Sequence, residues 1–222
     1  MPLTVYGMAQ SSCTRRVLAT LAEKNITDYT LTTINLLRGE QRDPSFQSLS
    51  PFSKVPVLSD PDADVLIYES RAICQYIARK YEGRGEELMP AEGDVKARAL
   101  FEQACSVEVN FFDVPVYGLC WEKLIKARAR LGPPDEALVK ENLNKLDTCL
   151  AVYENILTKQ KYLAGNDFTL ADLYHLPYGV EALDVGLKGL MDKYPHVARW
   201  FEGLQARDSW GKVLALAASN TL

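Results

Sequence analysis

The hydrophobic pattern changes period a little over a third of the way along the chain. Leu3-Thr4-Val5-Tyr6 alternates and stops at Gly7, and Val17, Leu18, Leu21 and Ala22 then recur at helical spacing. A strand is therefore expected, followed by a helix that ends at Lys24-Asn25. A second strand fits 29–35 and leads into Leu37-Arg38-Gly39-Glu40, after which Asp43-Pro44 has the form of a helix cap with proline at the first helical position. Residues 54–58 and 64–68 read as two short strands joined by the turn signal Asp60-Pro61-Asp62-Ala63, an antiparallel hairpin. Ile73, Ile77 and Tyr81, at i, i+4 and i+8, predict a helix over 70–81. The order is βαβαββα.

Glu82-Gly83-Arg84-Gly85-Glu86-Glu87 carries little to bury, which puts the domain boundary there: a first domain over 1–82, a linker over 83–93 and an all-helical domain over 94–222. Strand alternation is gone from residue 94 onward, where long helical patterns are broken at Leu131-Gly132-Pro133-Pro134 and at 161–165. Pro115 predicts a bend within one of these helices. Thr169-Leu170-Ala171-Asp172 has capping-box spacing, with Phe168 ahead of it as a candidate staple onto the first turn.

Composition narrows the functional classes. With 47% hydrophobic and 24% charged residues over 222 positions, the chain is an ordinary globular protein. A formal charge of −4 with interspersed basic residues gives no phosphate-tracking surface, so no nucleic-acid partner is expected. The start lacks the form of a secretory signal and no apolar run reaches the length of a membrane span, which points to the cytoplasm and to no membrane partner. Five widely spaced cysteines without CxxC, and two histidines, give no metal-ligand pattern. No metal is expected, and the thiols are expected to be reduced.

Four segments in order are distinctive: Tyr6-Gly7 through Ser11-Ser12-Cys13-Thr14-Arg15-Arg16-Val17-Leu18, then Ser50-Pro51-Phe52-Ser53-Lys54-Val55-Pro56, then Tyr68-Glu69-Ser70-Arg71-Ala72-Ile73, and Phe168-Thr169-Leu170-Ala171-Asp172. With the element order above they resemble the glutathione transferase family over essentially the whole chain. The segments 14–18, 69–77 and 162–165 are most similar to its phi class, known from plants and fungi. The resemblance implies an α/β thioredoxin-like first domain, an all-α second domain, glutathione as co-substrate and a homodimer. In several classes an aromatic at the position of Phe52 inserts into the partner subunit.

A free thiol with a pKa near 8.5 is only about 3% ionised at neutral pH, and the thiolate is the nucleophile. A hydroxyl at the opening of a helix, beside unpaired backbone N–H groups, is suited to lower that pKa by about one to two units. The resemblance puts the catalytic serine four positions after the glycine that ends the first strand, at Ser11, with Ser12 and Cys13 as neighbouring contenders. It implies that Val55-Pro56 is a cis-proline turn whose backbone pairs with the cysteinyl part of glutathione, and that Glu69 and Ser70 receive the γ-glutamyl group. Gln41 and Arg42 fall near the glycyl carboxylate. Lys54 stands where phi-class members usually carry glutamine, a point charge in place of an amide.

Conjugation also needs an electrophile held beside the sulfur. Phe111, Phe112 and Tyr117, with Met8 as an opposite wall, are the candidate lining for a hydrophobic one. His175 and the three tryptophans, Trp121, Trp200 and Trp210, are expected to be packing residues. The expected reaction is addition of, or substitution by, the glutathione sulfur on apolar electrophiles, with peroxidase activity from the same thiolate. The alternatives are a glutathione:disulfide or dehydroascorbate reductase using Cys13, a non-catalytic carrier of apolar ligands, and an interaction module.

Overall fold

The computed structural model describes residues 1–220, in two compact units: one built from residues 1–89 and the chain from Arg207 onward, the other Pro90–Ala206. Among the described residues no helix is long and apolar enough to cross a membrane.

The first unit opens with β1 (Leu3–Gly7), α1 (Ser12–Glu23) and β2 (Tyr29–Thr33), continues through a 3-10 turn (Glu40–Arg42) and one helical turn α2 (Pro44–Gln47), and completes a four-stranded sheet with β3 (Val57–Asp60) and β4 (Val65–Tyr68) before α3 (Ser70–Lys80). The sheet order is β2-β1-β3-β4, with β1 and β2 parallel and β3 antiparallel to both its neighbours. β1 buries Leu3 and Val5 on one face, as its alternation requires, and α1 packs against α3. Gly7 ends β1 because a Cβ there would lie 2.6 Å from Thr14 Oγ1, so only glycine lets α1 turn back this closely on the strand.

Among the strand bounds that differ from the sequence expectation, the end of β2 and the start of β3 do so for clear local reasons. β2 stops at Thr33 because the Asn35 side chain accepts from Leu37 N and Arg38 N, an Asx turn that competes with the ladder. β3 begins at Val57 rather than 54: Ser53 has φ 52°, Ser50 Oγ bonds both the N–H and the C=O of Lys54, and Val55-Pro56 is cis, as the resemblance implied. That segment is committed to a turn before the ladder starts.

The larger difference concerns the C-terminus. The helix Asp208–Ser219, α12 below, was expected within the helical domain over 94–222, a range whose last two positions lie outside the described residues. It belongs instead to the first unit and packs on α1. Glu23 at the end of α1 accepts from Arg207 Nε and Nη2 at 2.5 and 2.8 Å and from Ser209 Oγ at 2.5 Å, while Gln10 Nε2 donates to Ala217 O and Asn220 O, both at 2.8 Å. The bidentate guanidinium–carboxylate pair, half-buried, fixes one end of α12 and the glutamine amide fixes the other.

The second unit is helical: α4 (Val95–Val107), α5 (Val114–Cys120), α6 (Lys126–Arg128), α7 (Glu136–Leu157), α8 (Leu170–Leu173), α9 (Leu176–Ala182), α10 (Leu187–Met191) and α11 (Pro195–Gln205). Widened π turns, Glu108–Asp113 and Trp121–Ile125, join α4 to α5 and α5 to α6. The first lies just ahead of Pro115, whose missing N–H and bulky ring a regular turn would not accommodate, so the bend expected at Pro115 takes the form of a π segment. α7 buries Val139, Leu146, Cys149, Leu150, Tyr153 and Leu157 along one stripe, and Asp135 caps it by accepting from Ala137 N and Leu138 N.

The capping box forms at α8. Thr169 Oγ1 accepts from Ala171 N at 3.3 Å, and the wholly buried Asp172 accepts from Thr169 N, Thr169 Oγ1, Leu163 N and Trp200 Nε1 at 3.0–3.2 Å. Burial pushes the Asp172 carboxyl up to about 6 against the pull of those hydrogen bonds. Phe168 is buried with its ring edge-on to Tyr162. His175 is wholly buried, hydrogen-bonded to Tyr153 Oη and Ala171 O, and so is the packing residue expected. Trp200 and Trp210 are buried, whereas Trp121 is more than a third exposed beside Tyr117.

Candidate active site

The register of the sheet brings the glutathione-facing candidates to one end of it. Tyr6, one residue before the end of β1, pairs with Val57, the first residue of β3, and Val57 pairs with Tyr68, the last residue of β4. Gly7 pairs with Thr33, the last residue of β2. The loop to Ser11, the cis turn at Val55-Pro56, the start of α3 at Glu69-Ser70 and the segment leading to Gln41 and Arg42 therefore all leave the sheet from the same end.

Ser11 occupies the N-cap of α1 with φ −71° and ψ 128°; its N–H donates to Met8 O at 2.8 Å and its C=O accepts from Arg15 N at 2.8 Å. Its hydroxyl makes no capping bond. The backbone thus has the cap geometry while the side-chain oxygen remains available to a ligand, beside the unpaired N–H groups of a three-turn helix. Arg15 Nε donates to Ala9 O at 3.2 Å and Gln10 is tied to α12, so the loop ahead of Ser11 is held on two sides.

The contenders beside Ser11 differ in access. Ser12 is 5% exposed. Cys13 is half-buried, with Arg16 Nη1 at 3.8 Å from its sulfur. None of the five cysteines is in a disulfide; burial pushes Cys74, Cys120 and Cys149 up to about 12, which removes them as thiolates at physiological pH. No group of three or more metal-ligating side chains is assembled among the described residues.

At the start of α3, Glu69 is the N-cap with φ 73° and ψ 109°, a left-handed φ that costs a non-glycine residue on the order of 1–3 kcal/mol and tends to mark sites where a side chain must be aimed. Ser70 follows as the first helical residue, and its Oγ accepts from Arg16 Nη1 at 2.8 Å. In the cis turn, Pro56 is buried, Val55 half-buried and the Lys54 side chain exposed. Gln41 and Arg42 lie on the 3-10 turn after Gly39; Arg42 is exposed, while Gln41 Oε1 is buried without a hydrogen-bond partner.

The apolar candidates of the helical unit do not share one wall. Met8 is half-buried in the loop after β1. Phe111, 61% exposed, lines a groove of about 570 Å³ in the helical unit with Val107, Val114, Pro115, Cys149 and Val152. Phe112 points the other way, wholly buried with its ring 4.5 Å from that of His175, which makes it a core side chain rather than a lining one. Tyr117 sits in a separate cluster with Trp121 and Tyr178. Sequence reasoning assigned no role to Gln10 or Arg16, because a polar side chain that binds another part of the chain looks the same in sequence as one that faces water.

Residues 10–80 match the glutathione S-transferase N-terminal domain and residues 107–208 the glutathione S-transferase C-terminal domain. Glutathione S-transferase hmp2 of Hypomyces subiculosus is 42% identical over 98% of this chain and 100% of its own. Glutathione S-transferase PM239X14 of Arabidopsis thaliana is 44% identical over 89% of this chain and 88% of its own. Among solved structures, glutathione S-transferase I from maize in complex with an atrazine glutathione conjugate is similar with a TM-score of 0.88 at 35% identity, covering 100% of both chains.

Proposed function

The chain belongs to the glutathione S-transferase family, where it is most similar to the phi class, and from that premise we propose that it joins reduced glutathione to hydrophobic electrophiles through a thiolate stabilised by Ser11. One observation carries this reading: the Ser11 hydroxyl stands at the N-cap of α1 without a capping bond, at the end of the sheet where the cis turn and the start of α3 also emerge. The hydroxyl donates to the sulfur and the helix N-terminus adds positive potential, so the anion is favoured without a base. Val55 lends its backbone to the cysteinyl part, with Pro56 setting the turn; Glu69 and Ser70 take the γ-glutamyl ammonium and carboxylate. Gln41, through its side-chain amide N–H groups, Arg42 and Lys54 face the glycyl end. The same thiolate serves a hydroperoxide. For the electrophile, the maize relative's bound conjugate supports an apolar aromatic class, with Phe111 and the groove it lines in the helical unit as contacts.

Steady-state assays of wild type, Ser11→Ala and Cys13→Ser with a chlorodinitrobenzene-type electrophile, a hydroperoxide and a mixed disulfide test the reading. Loss of conjugation in Ser11→Ala with retention in Cys13→Ser is expected. The reverse pattern selects the second reading, a thiol-exchange enzyme on Cys13, which the half-buried sulfur and the nearby Arg16 guanidinium favour. The homodimer is part of the same proposal: Phe52 is 66% exposed, edge-on to Tyr68, and available to a second copy. Gel filtration of Phe52→Ser should show the mass of one chain; an unchanged elution position counts against that contact. We also place the protein in the cytoplasm, which localisation of the tagged full chain checks.

A further inference from the structure

The geometry points to Arg16 as a positioning residue for glutathione, acting through Ser70 on the γ-glutamyl carboxylate. Arg16 is wholly buried in α1, and its Nη1 donates to Ser70 Oγ at 2.8 Å while lying 3.8 Å from Cys13 Sγ in the first turn of the same helix. Ser70 is itself 5% exposed at the first position of α3, an eleven-residue helix. A serine hydroxyl has one hydrogen. When its oxygen accepts from a guanidinium, that hydrogen is turned away from the arginine and left for another acceptor, and polarisation by the cation makes the hydroxyl a stronger donor. The acceptor this arrangement suits is an anion at the N-terminus of α3, where helix N–H groups and the guanidinium act in the same sense. Arginine sets the direction of this bond through its rigid fork; a lysine in its place is a flexible point charge.

A merely structural Arg16 would behave differently. Its loss would lower stability by leaving Ser70 without its partner, and that loss would not single out one carboxylate of the ligand.

The inference rests on the glutathione reading above, and the experiment separates the two. Conjugation kinetics are measured on the full-length protein for wild type, Arg16→Lys, Ser70→Ala and the double variant, with glutathione and with glutathione amidated at the γ-glutamyl α-carboxylate. Folding is checked by thermal melting, and Arg16→Met replaces Arg16→Lys if lysine is not tolerated. Each single variant should raise KM for glutathione by about tenfold, the worth of one charge-assisted hydrogen bond, with kcat nearly unchanged. The double variant should be no worse than either single one, and the effect of Arg16→Lys should vanish on the amidated analogue. The inference is overturned if Arg16→Lys leaves KM for glutathione within twofold while Ser70→Ala raises it, if the two effects multiply, or if the analogue suffers equally. If Ser70→Ala itself leaves KM unchanged, the glutathione reading of this site fails and the role of Arg16 fails with it.

Discussion

Two helix starts in this protein carry the same sequence signal and use it in opposite ways. Ser11 precedes α1 and Thr169 precedes α8, both in extended backbone with a hydroxyl in capping position. At Thr169 the box closes: the hydroxyl accepts from Ala171 N and donates to Asp172, whose carboxylate also takes the Thr169 N–H. At Ser11 it stays open. The residue three positions on decides the outcome, because Asp172 reaches back to complete the box whereas Thr14 is pressed against Gly7 with its Oγ1 unpartnered. A capping residue without its acidic counterpart, at the end of a sheet, is thus a hydroxyl with bonding capacity left for something outside the chain.

The comparison breaks most visibly at Asp172. Asp172→Ala leaves four buried donors, Leu163 N, Thr169 N, Thr169 Oγ1 and Trp200 Nε1, without their acceptor, and should cost about 3–5 kcal/mol in denaturant unfolding. The cost should also depend on pH. The folded-state value near 6 lies above the ordinary 3.8, so the folded protein holds more protons than the unfolded one in between, and the contribution of this group is complete below about pH 4 and lost as pH rises through 6. The penalty of Asp172→Asn relative to wild type should therefore shrink between pH 4 and pH 6, by up to about 3 kcal/mol at 1.36 kcal/mol per unit. A flat difference would show that the hydrogen bonds cancel the effect of burial.

Ser11→Ala comes next and should move a different quantity. With no capping bond to lose, stability should change by less than about 0.5 kcal/mol. Conjugation should fall roughly ten- to a hundredfold in kcat/KM at pH 6.5 and less at pH 8.5, where a free thiol is already about half ionised. A stability loss near 1 kcal/mol with activity intact would make Ser11 an ordinary cap. Thr169→Ala is the converse, with about 1 kcal/mol lost in unfolding and kinetics unchanged, since its bond to Ala171 N is a standard one.

The elements of both units were legible because their signals are local: alternation and a terminal glycine for β1, the i, i+4, i+8 stripe for α3, the capping box for α8. The placement of α12 was not. Its apolar stripe, Trp210, Val213 and Ala217, reads the same whichever surface covers it, and its fixed points, Gln10 and Glu23, lie 207 and 186 residues from their partners in it. The stripe Ser12, Arg16, Thr20 and Glu23 on α1 looks solvent-facing in sequence, yet all four are buried, because Ser70 and Ser209 supply polar partners to Arg16 and Glu23 and Thr20 Oγ1 bonds Arg16 O within the helix. In the helical unit the π turn at Glu108–Asp113 shifts the phase of the helix, so a 3.6-residue period could not tell that Phe111 faces a groove and Phe112 the core.

The smallest expected effect lies two residues beyond Ser11. Cys13 shares the first turn of α1 and has a guanidinium nitrogen 3.8 Å from its sulfur, so on proximity alone it competes for the role of nucleophile. Serine is nearly the same size and keeps an acceptor for that guanidinium, so Cys13→Ser should fold as wild type and hold conjugation within about twofold, a change under 0.5 kcal/mol by the conversion of rate ratios. Iodoacetamide treatment of wild type gives the same comparison without a substitution: if the thiolate under attack belongs to glutathione, alkylating the protein first and assaying with fresh glutathione should leave more activity than Ser11→Ala retains. A loss in both Cys13→Ser and the alkylated protein that exceeds the loss in Ser11→Ala would move the chemistry from the open cap to the cysteine beside it.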